Sequence, residues 1–130
     1  MDEHRRTDDR VLQLGSATLE GLAAMAVLFL LLVVIAQAAF LVVARDTTQT
    51  AVNAAARRAG RPGASLGAER SRLADELRSA VPGAVGVAAT IERIGGDVVA
   101  EIRVAWRAPG PNLIPITMRV GSTAPIVVPP

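Results

Sequence analysis

The chain has no cysteine, no tyrosine and no lysine, and it carries a single histidine. Without cysteine there are no disulfides and no thiolate to act as nucleophile or metal ligand, and the compartment is left open. The one histidine, His4, stands in a charged amino-terminal stretch, so no histidine–carboxylate pair is at hand for acid–base work or metal binding. One Trp, two Phe and no Tyr offer almost nothing on which nucleic-acid bases could stack. The formal charge of +2 is small and evenly spread, which gives no basic patch for a phosphate backbone. The glycines at 95–96 and at 60 and 63 lack both the strand–loop–helix setting and the lysine of a phosphate loop. Together these absences speak against an enzyme. No catalytic residue, cofactor, metal, nucleic-acid partner or small-molecule substrate is expected.

Charge itself is missing from Gly21 to Ala44, a run of about 24 residues bracketed by Glu20 and Arg45. At about 1.5 Å per residue it reaches roughly 36 Å as a helix, enough to cross a hydrocarbon core of about 30 Å with some tilt. Gln37 is its only strongly polar residue, so it has no polar face of the kind a soluble helix keeps. A cleaved secretory signal would have a shorter apolar region ending in small residues. Ala36-Gln37-Ala38 has that form, but Phe40-Leu41-Val42-Val43 carries the run past it. The stretch therefore reads as a membrane-spanning helix.

Upstream, residues 1–14 mix Asp2, Glu3, Asp8 and Asp9 with Arg5, Arg6 and Arg10 and show no apolar period, so no regular structure is expected before Val11. Downstream, Arg45 to Ala59 has neither Gly nor Pro and is rich in Ala, which extends the helix out of the membrane until Gly60-Arg61-Pro62-Gly63 ends it. Thr47, Ala51, Ala55 and Ala59 recur at i+4 as a seam of small side chains. The seam suits either another helix or the protein's own domain. Ser65 to Val81 reads as a second helix with Leu66, Leu73, Leu77 and Val81 as its apolar stripe. Arg72/Glu76 and Asp75/Arg78 are its expected surface pairs, and Pro82-Gly83 closes it.

After Gly83 the period changes to two. Val85, Val87, Ala89 and Ile91 alternate with small or polar residues, and Val98, Ala100, Ile102, Val104 and Trp106 do the same beyond Gly95-Gly96. With Ile94 and Asp97 flanking the turn, Ile91 should face Ala100, Ala89 Ile102, Val87 Val104 and Val85 Trp106. That register gathers the apolar residues on one face, and a one-residue slip would scatter them. Pro109-Gly110-Pro111-Asn112 turns the chain into a third strand whose inner face is Ile114, Ile116, Met118 and Val120. Thr123 to Val128 could add an edge strand that tolerates Pro125. The fold class is therefore α+β: a long amino-terminal helix, a short helix and an antiparallel sheet of three or four strands, with the helices covering its apolar face.

Glu20 is the one ionisable residue at the mouth of the apolar run, where an unpaired charge is costly and marks a functional site by default. A capping box would need Ser or Thr three residues earlier, and position 17 is Ala. A place at headgroup level, favoured by the helix dipole, is the simpler alternative. Taken with its neighbours, Gly15-Ser16-Ala17-Thr18-Leu19-Glu20 resembles the processing site of type IV prepilins, in which a Gly ends a charged leader and a Glu stands five residues further on.

Across residues 10–128 the chain is most similar to TadE-like minor pilins and pseudopilins of the Tad (Flp-type) pilus systems, especially their short actinobacterial forms. The hexapeptide, Ala54-Ala55-Ala56-Arg57-Arg58-Ala59, the hairpin and Gly110-Pro111-Asn112-Leu113-Ile114-Pro115 carry the resemblance, and only the hexapeptide is specific. The resemblance implies a leader at 1–15 cut between Gly15 and Ser16 by a prepilin peptidase. A long helix at 16–60, membrane-spanning over 21–44, and an extracytoplasmic α+β domain at 61–130 would follow. Its partners would be the inner membrane, the peptidase, and other pilin subunits and assembly proteins. Glu20 would serve assembly by neutralising the Ser16 ammonium group of its own or a neighbouring chain. Arginines flank both ends of the span, so charge does not decide orientation. The resemblance puts the amino terminus in the cytoplasm.

Overall fold

The computed structural model describes residues 2–111 and 115–128, with side chains from Thr18 onward. Helix α1 spans Asp2–Ala59 and α2 spans Leu66–Ala80; three strands follow, β1 Ala84–Ile94, β2 Asp97–Trp106 and β3 Ile116–Pro125. The chain divides into two compact units, Met1–Ala38, made of α1 alone, and Ala39–Pro130, which holds the end of α1, α2 and the sheet. This is the α+β arrangement that the change of period from helical to two implied.

Helix α1 begins at Asp2, well ahead of Val11. Acidic Asp2 and Glu3 suit the positive end of the helix dipole, and neither Gly nor Pro interrupts the chain before Gly15, so the absence of an apolar period did not prevent a helix. From Leu19 to Val43 most of its large apolar side chains stand exposed, Leu22 at 64 % and Phe29 at 69 %, while Val33 and Leu41 are half-buried and Leu41 packs against the core. From Ala44 the pattern inverts. Ala44, Thr48, Val52, Ala55, Ala56 and Ala59 are buried and face a common core with α2 and the strands. Of the expected seam, Ala55 and Ala59 are wholly buried inside this unit while Thr47 and Ala51 are half-covered, so the seam serves the protein's own domain. Thr48 is the one buried polar residue there, and its hydroxyl donates to the Ala44 carbonyl at 2.7 Å, which satisfies it within the helix.

Ser65 caps α2, its hydroxyl accepting from the Ala68 N–H, and Leu73 and Leu77 are fully buried. The sheet is an antiparallel meander in the order β1-β2-β3. Ile94 faces Asp97 across the Gly95-Gly96 turn, and Ile91 faces Ala100, Ala89 Ile102 and Val87 Val104, which is the expected register. It fails at one place. A bulge between Ala84 and Gly86 makes Ala84 the partner of Trp106 and leaves Val85 61 % exposed. The cause lies next door. Trp106 donates its Nε1–H to the Pro82 carbonyl at 2.9 Å, and Arg107 N–H donates to Gly83 O at 2.8 Å, so the start of β1 is drawn to the end of β2.

β2 and β3 pair without a break from Asp97↔Pro125 to Trp106↔Ile116. Thr123, Ala124 and Pro125 therefore complete β3 and do not form a fourth strand. The chain then leaves the sheet, with Ile126 N–H donating to Gly96 O and Val127 N–H to Gly60 O, each at 2.9 Å. Ile116, Met118 and Val120 lie on the inner side of β3 as expected; Ile114 and the Asn112-Leu113 part of the turn fall outside the described residues. The sheet has three strands among the described residues.

Two glycines make these closures possible. Gly83 has φ +86°, and a Cβ there would overlap the Arg107 carbonyl oxygen. A Cβ on Gly60 would stand 2.7 Å from the Pro125 carbonyl oxygen, so Gly60 is needed for close approach as much as for ending α1. Gly83→Ala and Gly60→Ala should each destabilise the folded unit by about 2 kcal/mol or more. For a unit of this size that lowers the melting temperature by on the order of 10 °C, readable by thermal unfolding of the full chain in detergent.

Candidate functional site

Gly15 and Ser16 both lie within α1, and Glu20 follows Ser16 by one helical turn. The side chain of Ser16 falls outside the described residues. Glu20 is exposed, flanked by Leu19 at 70 % and Leu22 at 64 % accessibility, and no cation of the described residues pairs with it. A carboxyl group therefore stands at the end of a bare apolar surface long enough to cross a membrane. In water this costs little. At the edge of a hydrocarbon layer it creates a demand for a cation that the described part of the chain does not supply.

The end of α1 presents a different arrangement. Arg58 Nε donates to Glu69 Oε2 at 2.8 Å and its Nη2 to Glu76 Oε2 at 3.2 Å, so one guanidinium joins two turns of α2 to α1. The hydrogen bond to Glu69 raises Arg58 above the ordinary arginine value, against the opposing effect of burial. A raised value means that the contribution is complete below the unfolded pKa and lost only as pH climbs beyond it. The cation thus persists through all ordinary conditions. Glu76 is consequently spoken for by Arg58, and the expected Arg72–Glu76 pair does not form; the Asp75–Arg78 pair does. The sequence signal for Arg58 was only its place in the last turn of a helix beside Arg57.

On the outer side of the sheet, Glu101 Oε1 accepts from Arg103 Nε at 3.4 Å and lies 3.2 Å from Arg119 Nε. It thereby separates two arginines that the register sets opposite each other. All three side chains are well exposed, so the cluster contributes little to stability. No group of three or more His, Cys, Asp or Glu able to hold a metal ion occurs among the described residues.

Comparison with protein-family models, with curated proteins and with solved structures finds no match to this chain. Arg58→Ala should lower stability by about 1–2 kcal/mol, since it strands two carboxylates on one face of α2. Arg58→Lys should recover only part of this, because a point charge cannot address both acids through a fixed fork. Chemical denaturation of the two variants beside the wild type measures both effects.

Proposed function

We propose that the chain is a minor pilin or pseudopilin of a Tad (Flp-type) pilus, a non-enzymatic subunit that a prepilin peptidase releases by cutting between Gly15 and Ser16. The observation that carries the reading is Glu20: an exposed carboxylate without a cation among the described residues, one turn past the Gly15–Ser16 bond, at the mouth of the apolar stretch. Cleavage would create the missing cation. The new Ser16 ammonium group stands one helical turn from Glu20, or meets the Glu20 of a neighbouring subunit, and a charge too costly to leave alone then becomes a register pin between stacked helices. In this reading the helix spans the inner membrane with its amino terminus in the cytoplasm. The α+β unit lies outside, where its sheet faces other pilin subunits and assembly proteins. The apolar helix then acts as a handle by which assembly draws the subunit from the membrane.

One observation favours instead an uncleaved single-pass protein whose outer unit is a binding or scaffold module. Helix α1 runs unbroken through Gly15 and Ser16, and proteolysis prefers exposed loops to regular helix. The two alternatives part at one bond. Intact-mass analysis of protein purified from a host with an active prepilin peptidase should find a species that begins at Ser16. A full-length chain from that host would rule out the pilin reading. Glu20→Gln should leave insertion and cleavage intact and impair incorporation into the pilus; normal pili in that variant would remove the pairing role.

A further inference from the structure

Alongside the first half of β3 runs a groove of about 370 Å³, lined by Leu41, Val42 and Arg45 of α1 and by the strand from Ile116 to Val120. Inward-facing Ile116 and Met118 and outward-facing Arg119 all reach it, so it follows the free edge of β3. An edge strand leaves alternate N–H and C=O groups without a ladder partner. Leu41 and Val42 are among the last apolar residues of the uncharged stretch, and Arg45 is the first charge after it. If α1 crosses a membrane over that stretch, the groove lies where hydrocarbon gives way to headgroups. On α1 its apolar lining, Leu41 and Val42, then falls on the hydrocarbon side and Arg45 on the water side.

The charges around it are unbalanced in one direction. Arg45 is exposed and has no ion-pair partner among the described residues, and Arg119 is 62 % exposed with its Nε turned to Glu101. Glu101 also contacts Arg103, so one carboxylate faces two arginines and Arg45 stands free of both. The volume is that of a small-molecule site and admits a phosphate with its glycerol ester. A peptide strand added to this edge would have to place polar backbone beside Leu41 and Val42, at the hydrocarbon border, where unsatisfied backbone groups are heavily penalised. A lipid brings no further backbone groups to that border, and its phosphate and ester oxygens can accept from the N–H groups that the β3 edge leaves unpaired.

We propose that this groove binds one anionic phospholipid, its phosphate held between Arg45 and Arg119 and an acyl chain lying along Leu41 and Val42. The proposal rests on the membrane-spanning reading of α1 and is independent of leader cleavage. Bound in this way, the lipid holds the start of β3 at headgroup level.

Native mass spectrometry of the protein expressed in a host with an active prepilin peptidase and purified in detergent, titrated with phosphatidylglycerol or phosphatidylcholine, tests it. The wild type should retain one phosphatidylglycerol in clear preference to phosphatidylcholine. Arg45→Gln and Arg119→Gln should each weaken that retention about fivefold, as expected for one arginine near an anionic surface. Arg103→Gln, which lies outside the groove and touches the same Glu101, should leave retention unchanged. Equal retention of the two lipids, undiminished retention in the Arg45→Gln/Arg119→Gln double variant, or a dimer that excludes lipid would each overturn the proposal. The same spectra report the mass of the chain. Processed protein without lipid preference therefore defeats the groove alone, and lipid-bound but unprocessed protein defeats the pilin reading alone. Recovery of the chain in the soluble fraction after an alkaline carbonate wash would remove the membrane reading beneath both.

Discussion

The inner row of β2, from Val98 through Ala100, Ile102 and Val104 to Trp106, is at most 3 % accessible at every position. A central strand so apolar on one face has to be covered, and in a three-stranded meander only helices are left to cover it. Helix α2 brings Leu73 and Leu77; α1 brings mostly alanines and Val52, whose short side chains let its backbone come close to the sheet. Each large side chain in this layer is worth about 1.5–3 kcal/mol of burial, so the layer outweighs the exposed ion pairs on the opposite side of the sheet. The closure at Gly60 joins the end of α1 to the end of β3, while the closure at Gly83 and the bulge at Val85 follow from the tie of Trp106 and Arg107 to the start of β1.

The same demand explains why α1 changes character near Ala44. Below that point the large apolar side chains are open except for Val33 and Leu41, which are half-buried; above it the inward face is small and buried. One helix thus carries two kinds of surface, and the two sets of residues are distinct in kind. Bulky Leu, Val, Ile and Phe suit a surface that lipid would solvate, and Ala and Thr suit a surface that a sheet must approach. Glu20 and Arg45 bracket the first of these sets. A charge at each border is what makes both borders chemically interesting: at one a carboxylate has no cation beside it among the described residues, and at the other a cation faces an open groove.

Much of this was legible in the residues. The period-two rows on either side of Gly95-Gly96 admit one register, and the observed pairing keeps it from Ile94↔Asp97 to Val87↔Val104 because a slip would turn every apolar residue outward. It was lost only where a long-range bond intervened, since the pull of Trp106 on Pro82 has no local signature. The pairing of Glu76 went astray for the same reason. Spacing within α2 offered Arg72, but the α1–α2 contact brought Arg58 nearer. The place of Glu20 was readable without a fold, because an acid beside a long uncharged run is a property of the sequence; the structure adds that its side chain is exposed.

What the sequence by itself determined is set by local period and by length: two helices, the hairpin and its register, the uncharged stretch and the carboxylate at its mouth. Each depends on neighbours within a few residues, where backbone geometry dictates which side chains share a face. What only the tertiary structure decided depends on residues far apart meeting. That covers the role of the alanine seam as the roof of the protein's own sheet, Arg58 as the tie between helices, Gly60 as a point of contact with Pro125, and the union of Arg45 with the edge of β3 in one groove. No periodicity encodes which distant partner a face will find, because that choice is made by the summed fit of the packed layers.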